Sequence, residues 1–157
     1  FSSALLLNTL LPMLTVTRPS MDSLLEFRLI LDKEMAGLAA VRAQPGQIEA
    51  MWHNLAQHEA CQNDSNQAAL CDLEFHCLIA EATGNPLLIQ VYAILREVLK
   101  TALYDIVAVM GASNALYYHR QIIQAIEAHD ADRASQAMLA HVQDTIAAAG
   151  SGAPATS

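Results

Sequence analysis

An all-α fold is predicted for this chain of 157 residues on three observations. Apolar residues recur at helical spacing almost throughout, no run shows the two-residue alternation or β-branched clustering of strands, and capping residues, Pro and Gly mark starts and stops between the periodic stretches. With 54% apolar and 15% charged residues the chain is globular, and it is long enough to close a core without disulfide or metal staples.

A first helix is expected at about Ala4 to Leu14, ending in the region from Pro12 to Pro19. Ser20 to Ser23 then open a long helix reaching about Ala43, with Ser23 and Glu26 spaced as a capping box. Pro45 suits a first helical turn and starts a helix through about Cys61. The polar cluster NDSN at 63–66 reads as a loop, and the helix after it runs to Thr83, stopping at Gly84-Asn85-Pro86. Pro86 begins another long helix to about Met110, Gly111 to Ser113 turn the chain, and a helix follows to about His129. Asp130 caps a last helix to about Ala149, giving an antiparallel bundle of six to seven helices. The ending GSGAPATS reads as a flexible tail, 150–157.

The formal charge is −8, and the eight Lys and Arg are scattered singly, so the basic stripe that grips nucleic acid is missing. Cys61, Cys71 and Cys77 follow no metal-ligand or disulfide spacing, which suits a reducing, cytoplasmic setting. The opening FSSALLLNTLLPMLTV has no charged front and is broken by Asn8 and Pro12, so it reads as a linker or helix remnant over 1–20 and not as a membrane span.

One stretch, CDLEFHCLIAEATGN, carries two ionisable groups in an otherwise interior-like helix. Asp72, His76, Ile79 and Thr83 share one helix face, with the acid one turn from the imidazole. Taken alone, such a pair reads as a surface pair or a satisfied buried ion pair. His119 lies on the stripe Leu116, His119, Ile123, Ile126, and His141 on the stripe Ala134, Met138, His141, Thr145. The two helices should form a hairpin about residue 130; each histidine is eleven residues from it, hence about 16 Å from the turn and at one level. A lone histidine on an apolar stripe is usually a hydrogen-bonded core residue, but three with an acid are hard to satisfy together at neutral pH. A divalent metal resolves that difficulty, and three imidazoles with one carboxylate suit zinc first, with nickel, manganese or iron as other occupants. His53 and His58 lie in the polar stretch MWHNLAQHEACQ and His129 in the hairpin turn, and all three are read as solvated.

The segments LLEFRLILDKEMAGLAAVRA, DLEFHCLIAEATGNPLL and HRQIIQAIEAHDADRASQAMLAHV together resemble the effector-binding and dimerisation domain, FCD, of FadR-type bacterial regulators in the GntR family. The resemblance covers about Asp22 to Ile146 and implies a single effector-binding and dimerisation domain over 21–149. It implies a helical bundle whose central cavity holds a metal on Asp72, His76, His119 and His141, and a small carboxylic acid, such as lactate, glycolate, pyruvate or a sugar acid, on or near that metal. It also implies that Arg28 contributes a carboxylate-pairing guanidinium; Arg28 otherwise reads as a helix-surface residue pairing with Glu26 or Asp32. Asn85 reads first as a helix cap and, by resemblance, as an effector contact; Arg96 is a further pocket candidate. Family members commonly carry Glu where Asp32 stands, which puts that side chain's contacts in question. The resemblance further implies a homodimer, with DNA bound only through a winged helix-turn-helix domain upstream of this region.

On this reading the chain is a sensor and not an enzyme, which requires a cavity able to admit an organic acid. Two other readings are a metal-dependent hydrolase or lyase, for which no HExxH pattern or spare inward glutamate supplies a base, and a dimerisation module with a structural metal.

Overall fold

The computed structural model describes residues 20–151. Among them are six helices: α1 Met21–Arg42, α2 Pro45–Ala60, α3 Ser65–Ala82, α4 Pro86–Met110, α5 Ser113–Glu127 and α6 Ala131–Ser151. No strand occurs among the described residues. The helix expected at Ala4 to Leu14 lies outside them, as does most of the tail.

Local chemistry sets the helix ends. Ser20, and not Ser23, caps α1: its Oγ accepts from the Ser23 backbone N–H at 3.2 Å. The expected capping box fails because the helix has already begun where Ser23 stands. Pro45 disfavours a helical Gln44, ending α1 at Arg42, and its missing N–H costs nothing in the first turn of α2. Asp64 Oδ1 caps α3 by accepting from Asn66 and Gln67 at 3.0 and 3.1 Å. Beyond α3 the chain turns through Gly84 at φ +65°, a conformation that L side chains rarely adopt. Asn85 Oδ1 then accepts from Leu87 N at 3.0 Å to start α4. Asp130 Oδ1 does the same for α6 through Arg133 N.

α1 packs along α6, α3 against α4, and α5 against α6, while α2 lies over α3 and α5. α1 approaches α6 closely because its inner face carries Ala36, Gly37, Ala39 and Ala40; a Cβ on Gly37 would stand 2.6 Å from Ser135 Oγ. The core is apolar, with Met35, Met51, Leu55, Leu73, Phe75, Ile79, Ile122, Ile123 and Met138 fully or almost fully buried, each large side chain contributing about 1.5–3 kcal/mol. Within this core α1, α3, α5 and α6 each turn one or more ionisable side chains inward, so apolar packing surrounds a polar centre. No helix among the described residues is long and apolar enough to cross a membrane.

Candidate metal centre

Asp72 and His76 stand one turn apart on the buried face of α3, and the α5–α6 hairpin delivers His119 and His141 to the same level. Asp72, His76, His119 and His141 are all buried, and one ligand atom from each lies within 4.8 Å of the other three. His141 Nε2 is 3.2 Å from both His76 Nε2 and His119 Nε2. Asp72 Oδ1 is 3.2 Å from His119 Nε2 and 3.5 Å from His141 Nε2, and its Oδ2 is 3.9 Å from His76 Nε2.

Protons can pair this arrangement when His119 and His141 carry theirs on Nε2 and donate toward Asp72 Oδ1, but those nitrogens are then spent as donors. A neutral imidazole nitrogen offers one N–H or one lone pair. His76 Nε2 faces the Arg28 Nη2 donor at 2.6 Å and so must accept, while it also faces His141 Nε2, which in turn faces His119 Nε2. A cation at the centre would use the lone pairs together. Zinc bonds of 2.0–2.1 Å place tetrahedral ligands about 3.3 Å apart, close to most of these separations. The donor set and its spacing therefore fit a divalent metal, with Asp72, His76, His119 and His141 as the residues that would hold it.

The electrostatics favour the same state of the donors. Burial lowers the pKa of His76 and His119 below the ordinary histidine range, the latter strongly, which keeps both rings neutral. Burial pushes the Asp72 carboxyl up, but the contacts from His119 and His141 and the charge of Arg28 outweigh it and hold the group well below the usual carboxylate range.

Around the four residues is a supporting shell that sequence reasoning largely missed. Asp32, one turn from Arg28 on α1, is fully buried. Its Oδ2 accepts from Arg28 Nε at 2.9 Å and from the Tyr92 hydroxyl at 3.4 Å, and lies 3.0 Å from His76 Nδ1. That last approach is oblique, leaving Nδ1 without a straight hydrogen bond, so the carboxylate acts on the ring mainly as a charge. Arg28 is not on the helix surface: it is fully buried, with Nη2 also donating to Asp72 Oδ2 at 3.2 Å and Nη1 lacking a partner. Burial opposes its charge, but Tyr92, Asp72 and Asp32 together raise its pKa above the ordinary value.

His58 is a correction. Expected on the solvated face, it is fully buried, its ring centroid 5.6 Å from that of His119. The signal was present in the stripe Met51, Asn54, Leu55, His58, whose spacings of three, one and three put all four on the buried face of α2. His53 is exposed, as is His129, although His129 Nδ1 bonds the Ala40 carbonyl at 2.8 Å. The two remaining candidates lie elsewhere. Asn85 is committed to capping α4, and Arg96 pairs with Glu74 at 3.1 Å beside Cys77 and Glu81 on the outer side of α3 and α4.

A cavity of about 30 Å³ adjoins the cluster at Asp72 and His141. Leu103, Ile106 and Val107 supply apolar wall, and Asn114, Asp144 and Thr145 supply polar groups. Its volume suits a water and not an organic acid.

A family model for the FCD domain matches residues 23–144. Among curated proteins, the putative L-lactate dehydrogenase operon regulatory protein of Escherichia coli K12 is 33% identical over 126 residues, covering 76% of this chain and 47% of that protein. The HTH-type transcriptional repressor NanR of Cronobacter sakazakii is 26% identical over 125 residues, covering 78% of this chain and 48% of the repressor. The chain thus spans about half the length of these curated relatives. Of solved structures, Streptococcus agalactiae GntR superposes with a TM-score of 0.66 at 27% identity, over 78% of this chain and 55% of that one. E. coli McbR/YncC reaches a TM-score of 0.70 at 15% identity, over 83% and 64% of the two chains, a likeness of fold.

Proposed function

The chain belongs to the FCD domain family, and from that premise we propose that it is the effector-sensing and dimerisation part of a bacterial transcription regulator, binding a small monocarboxylic acid at a divalent metal held by Asp72, His76, His119 and His141. The observation that carries this reading is the buried charge. One guanidinium, Arg28, stands against two carboxylates, Asp32 and Asp72, so with neutral imidazoles the centre is at −1. A divalent ion turns it to +1, which one carboxylate neutralises.

When bound, the metal would act as a Lewis acid for carboxylate or hydroxyl oxygens at its open positions. The protein's own part is orientation. Engaging His76 Nε2 in coordination removes the acceptor that Arg28 Nη2 now uses at 2.6 Å, and Nη1 already has no partner. Both terminal nitrogens of the guanidinium then become available to a carboxylate in a planar fork. The E. coli relative is named for an L-lactate dehydrogenase operon, which makes L-lactate, a monocarboxylate with an adjacent hydroxyl, the first compound to test.

The cavity beside Asp72 and His141 is too small for lactate, so the expected acid-sized cavity is not met in this helix arrangement, and the acid would enter only if the α4 wall separates from α5 and α6. That movement gives the effector different affinities for two helix arrangements, the condition for any ligand to shift an equilibrium. In a homodimer the altered packing would reset the spacing of DNA-binding domains. The descriptions of the relatives as regulators favour sensing over turnover.

The test begins with elemental mass spectrometry of the purified chain beside Asp72→Ala and His119→Ala. About one divalent ion per chain, lost in both variants, is expected, followed by stabilisation on adding L-lactate, glycolate, pyruvate or a sugar acid. A chain that takes up no zinc, nickel, manganese or iron would overturn the metal reading. Metal uptake with no response to any acid would leave a structural metal in a dimerisation module.

A further inference from the structure

We propose that Asn54, His58 and His119 form a hydrogen-bonded relay that fixes the His119 ring when its Nε2 holds a metal, making Asn54 and His58 positioning residues of the centre. The inference rests on the metal reading above and concerns groups that reading does not use.

Four buried polar atoms on α2 and α5 lack hydrogen-bond partners: Asn54 Oδ1, His58 Nδ1, His58 Nε2 and His119 Nδ1. They match one another in chemistry. A histidine that coordinates through Nε2 carries its proton on Nδ1, so His119 Nδ1 is a donor. A neutral His58 offers one acceptor and one donor. Asn54 has its amide nitrogen committed to the Cys71 carbonyl at 3.1 Å, which identifies Oδ1 as its free atom, an acceptor. Two hydrogen bonds, His119 to His58 and His58 to Asn54, would satisfy all four atoms.

Position agrees with chemistry. Asn54 and His58 are one turn apart on the buried face of α2. The rings of His58 and His119 have centroids 5.6 Å apart and planes inclined at 53°, close enough for ring nitrogens turned toward each other to approach hydrogen-bonding distance. Phe75 stacks on His119 at 3.8 Å and 18°, holding its plane while leaving Nδ1 free of side-chain partners. His76, by contrast, has Asp32 beside its outer nitrogen. His119 has only His58 to play that part on the α2 side. The relay also explains why an otherwise apolar stripe keeps an imidazole and an amide.

The experiment measures zinc affinity of the whole chain by competition with a chromogenic chelator, and the melting temperature after metal removal, for the unaltered protein, His58→Phe, His58→Gln and Asn54→Leu. His58→Phe is expected to weaken zinc about 10–100-fold. Its metal-free melting temperature should be unchanged or raised, because an apolar ring replaces an unsatisfied buried imidazole. His58→Gln, whose amide oxygen still accepts from His119 Nδ1, should keep most of the affinity, and Asn54→Leu should lose part of it. Equal zinc affinity in His58→Phe would overturn the relay while leaving the metal centre standing. So would an affinity loss that merely tracks an equal fall in metal-free stability across all three variants. Absence of zinc binding by the unaltered chain would overturn both.

Discussion

Arg28 Nη2 stands 2.6 Å from His76 Nε2, so the guanidinium engages the nitrogen that coordination would require. Arginine and metal therefore compete for one lone pair, and both act as counter-charges to Asp72 and Asp32. Arg28→Met would leave two carboxylates buried without their cation. The expected loss is about 3–5 kcal/mol in the metal-free chain, the usual cost of breaking a buried pair. Zinc should restore more stability to the variant than it adds to the unaltered protein. Urea unfolding with and without zinc checks this, and equal zinc increments in the two proteins would contradict the competition.

Asp32 is not among the four candidate ligands, but it lies beside His76 Nδ1 and ties Arg28 and Tyr92 to the same oxygen. Asp32→Asn keeps the shape and removes the charge that favours the tautomer with Nε2 free. We expect a 10–100-fold weaker zinc affinity, the range found when a ligand's outer partner is lost. Calorimetric titration would show it. An unchanged dissociation constant would mean that packing against Tyr92, whose ring stacks with His76 at 6.1 Å, is enough to orient the histidine.

The legibility of this site follows from how each residue announces itself. Asp72 and His76 interrupt an apolar helix, and His119 and His141 sit on apolar stripes equidistant from a turn, so spacing formed each pair, and the need for a shared partner with the family resemblance joined the two. The helix boundaries were legible because Pro45, Gly84-Asn85-Pro86 and Asp130 act through local backbone chemistry. Asp32 was not, and Arg28 was reached only through the family resemblance, since an acid and a base one turn apart look the same on a surface as in a core. His58 was misread because its neighbours His53, Gln57 and Glu59 are polar, and in a helix neighbours in sequence face different ways. The size of the cavity depends on how α4, α5 and α6 meet, which no single helix pattern encodes.

Acid should destabilise the metal-free chain in a defined window. Burial lowers the folded-state pKa of His58, His76 and His119 below the ordinary histidine value of about 6.5, so below that pH the unfolded chain binds more protons than the folded one. Their contribution is fully present above about pH 6.5 and is lost as pH falls toward the folded values, by at most about 1.4 kcal/mol per pH unit for each histidine. Asp32 and Asp72, with depressed pKa values, act in the same sense at lower pH, since their contribution is lost as pH falls through the folded values. Denaturation midpoints between pH 7.5 and 5.0 should therefore drop, and His58→Phe should flatten the slope. A flat profile down to pH 5 would show that the rings are protonated in the folded chain.

The effector prediction separates a sensor from a structural centre. A ligand at one hundred times its dissociation constant stabilises the folded state by about 2.7 kcal/mol. In a domain of this size that shifts the melting temperature by about 5–10 °C. L-Lactate should give such a shift in zinc-loaded protein and almost none after chelation, because without the ion the centre is at −1 and repels a carboxylate. The shift should also fall in Arg28→Met, which keeps the metal ligands but loses the fork, and should persist in Arg96→Met, whose guanidinium lies with Glu74 on the outer side of α3 and α4. A lactate shift that survives chelation would place the acid somewhere other than the cavity beside Asp72 and His141. Dependence on Arg96 would move the effector to that outer face.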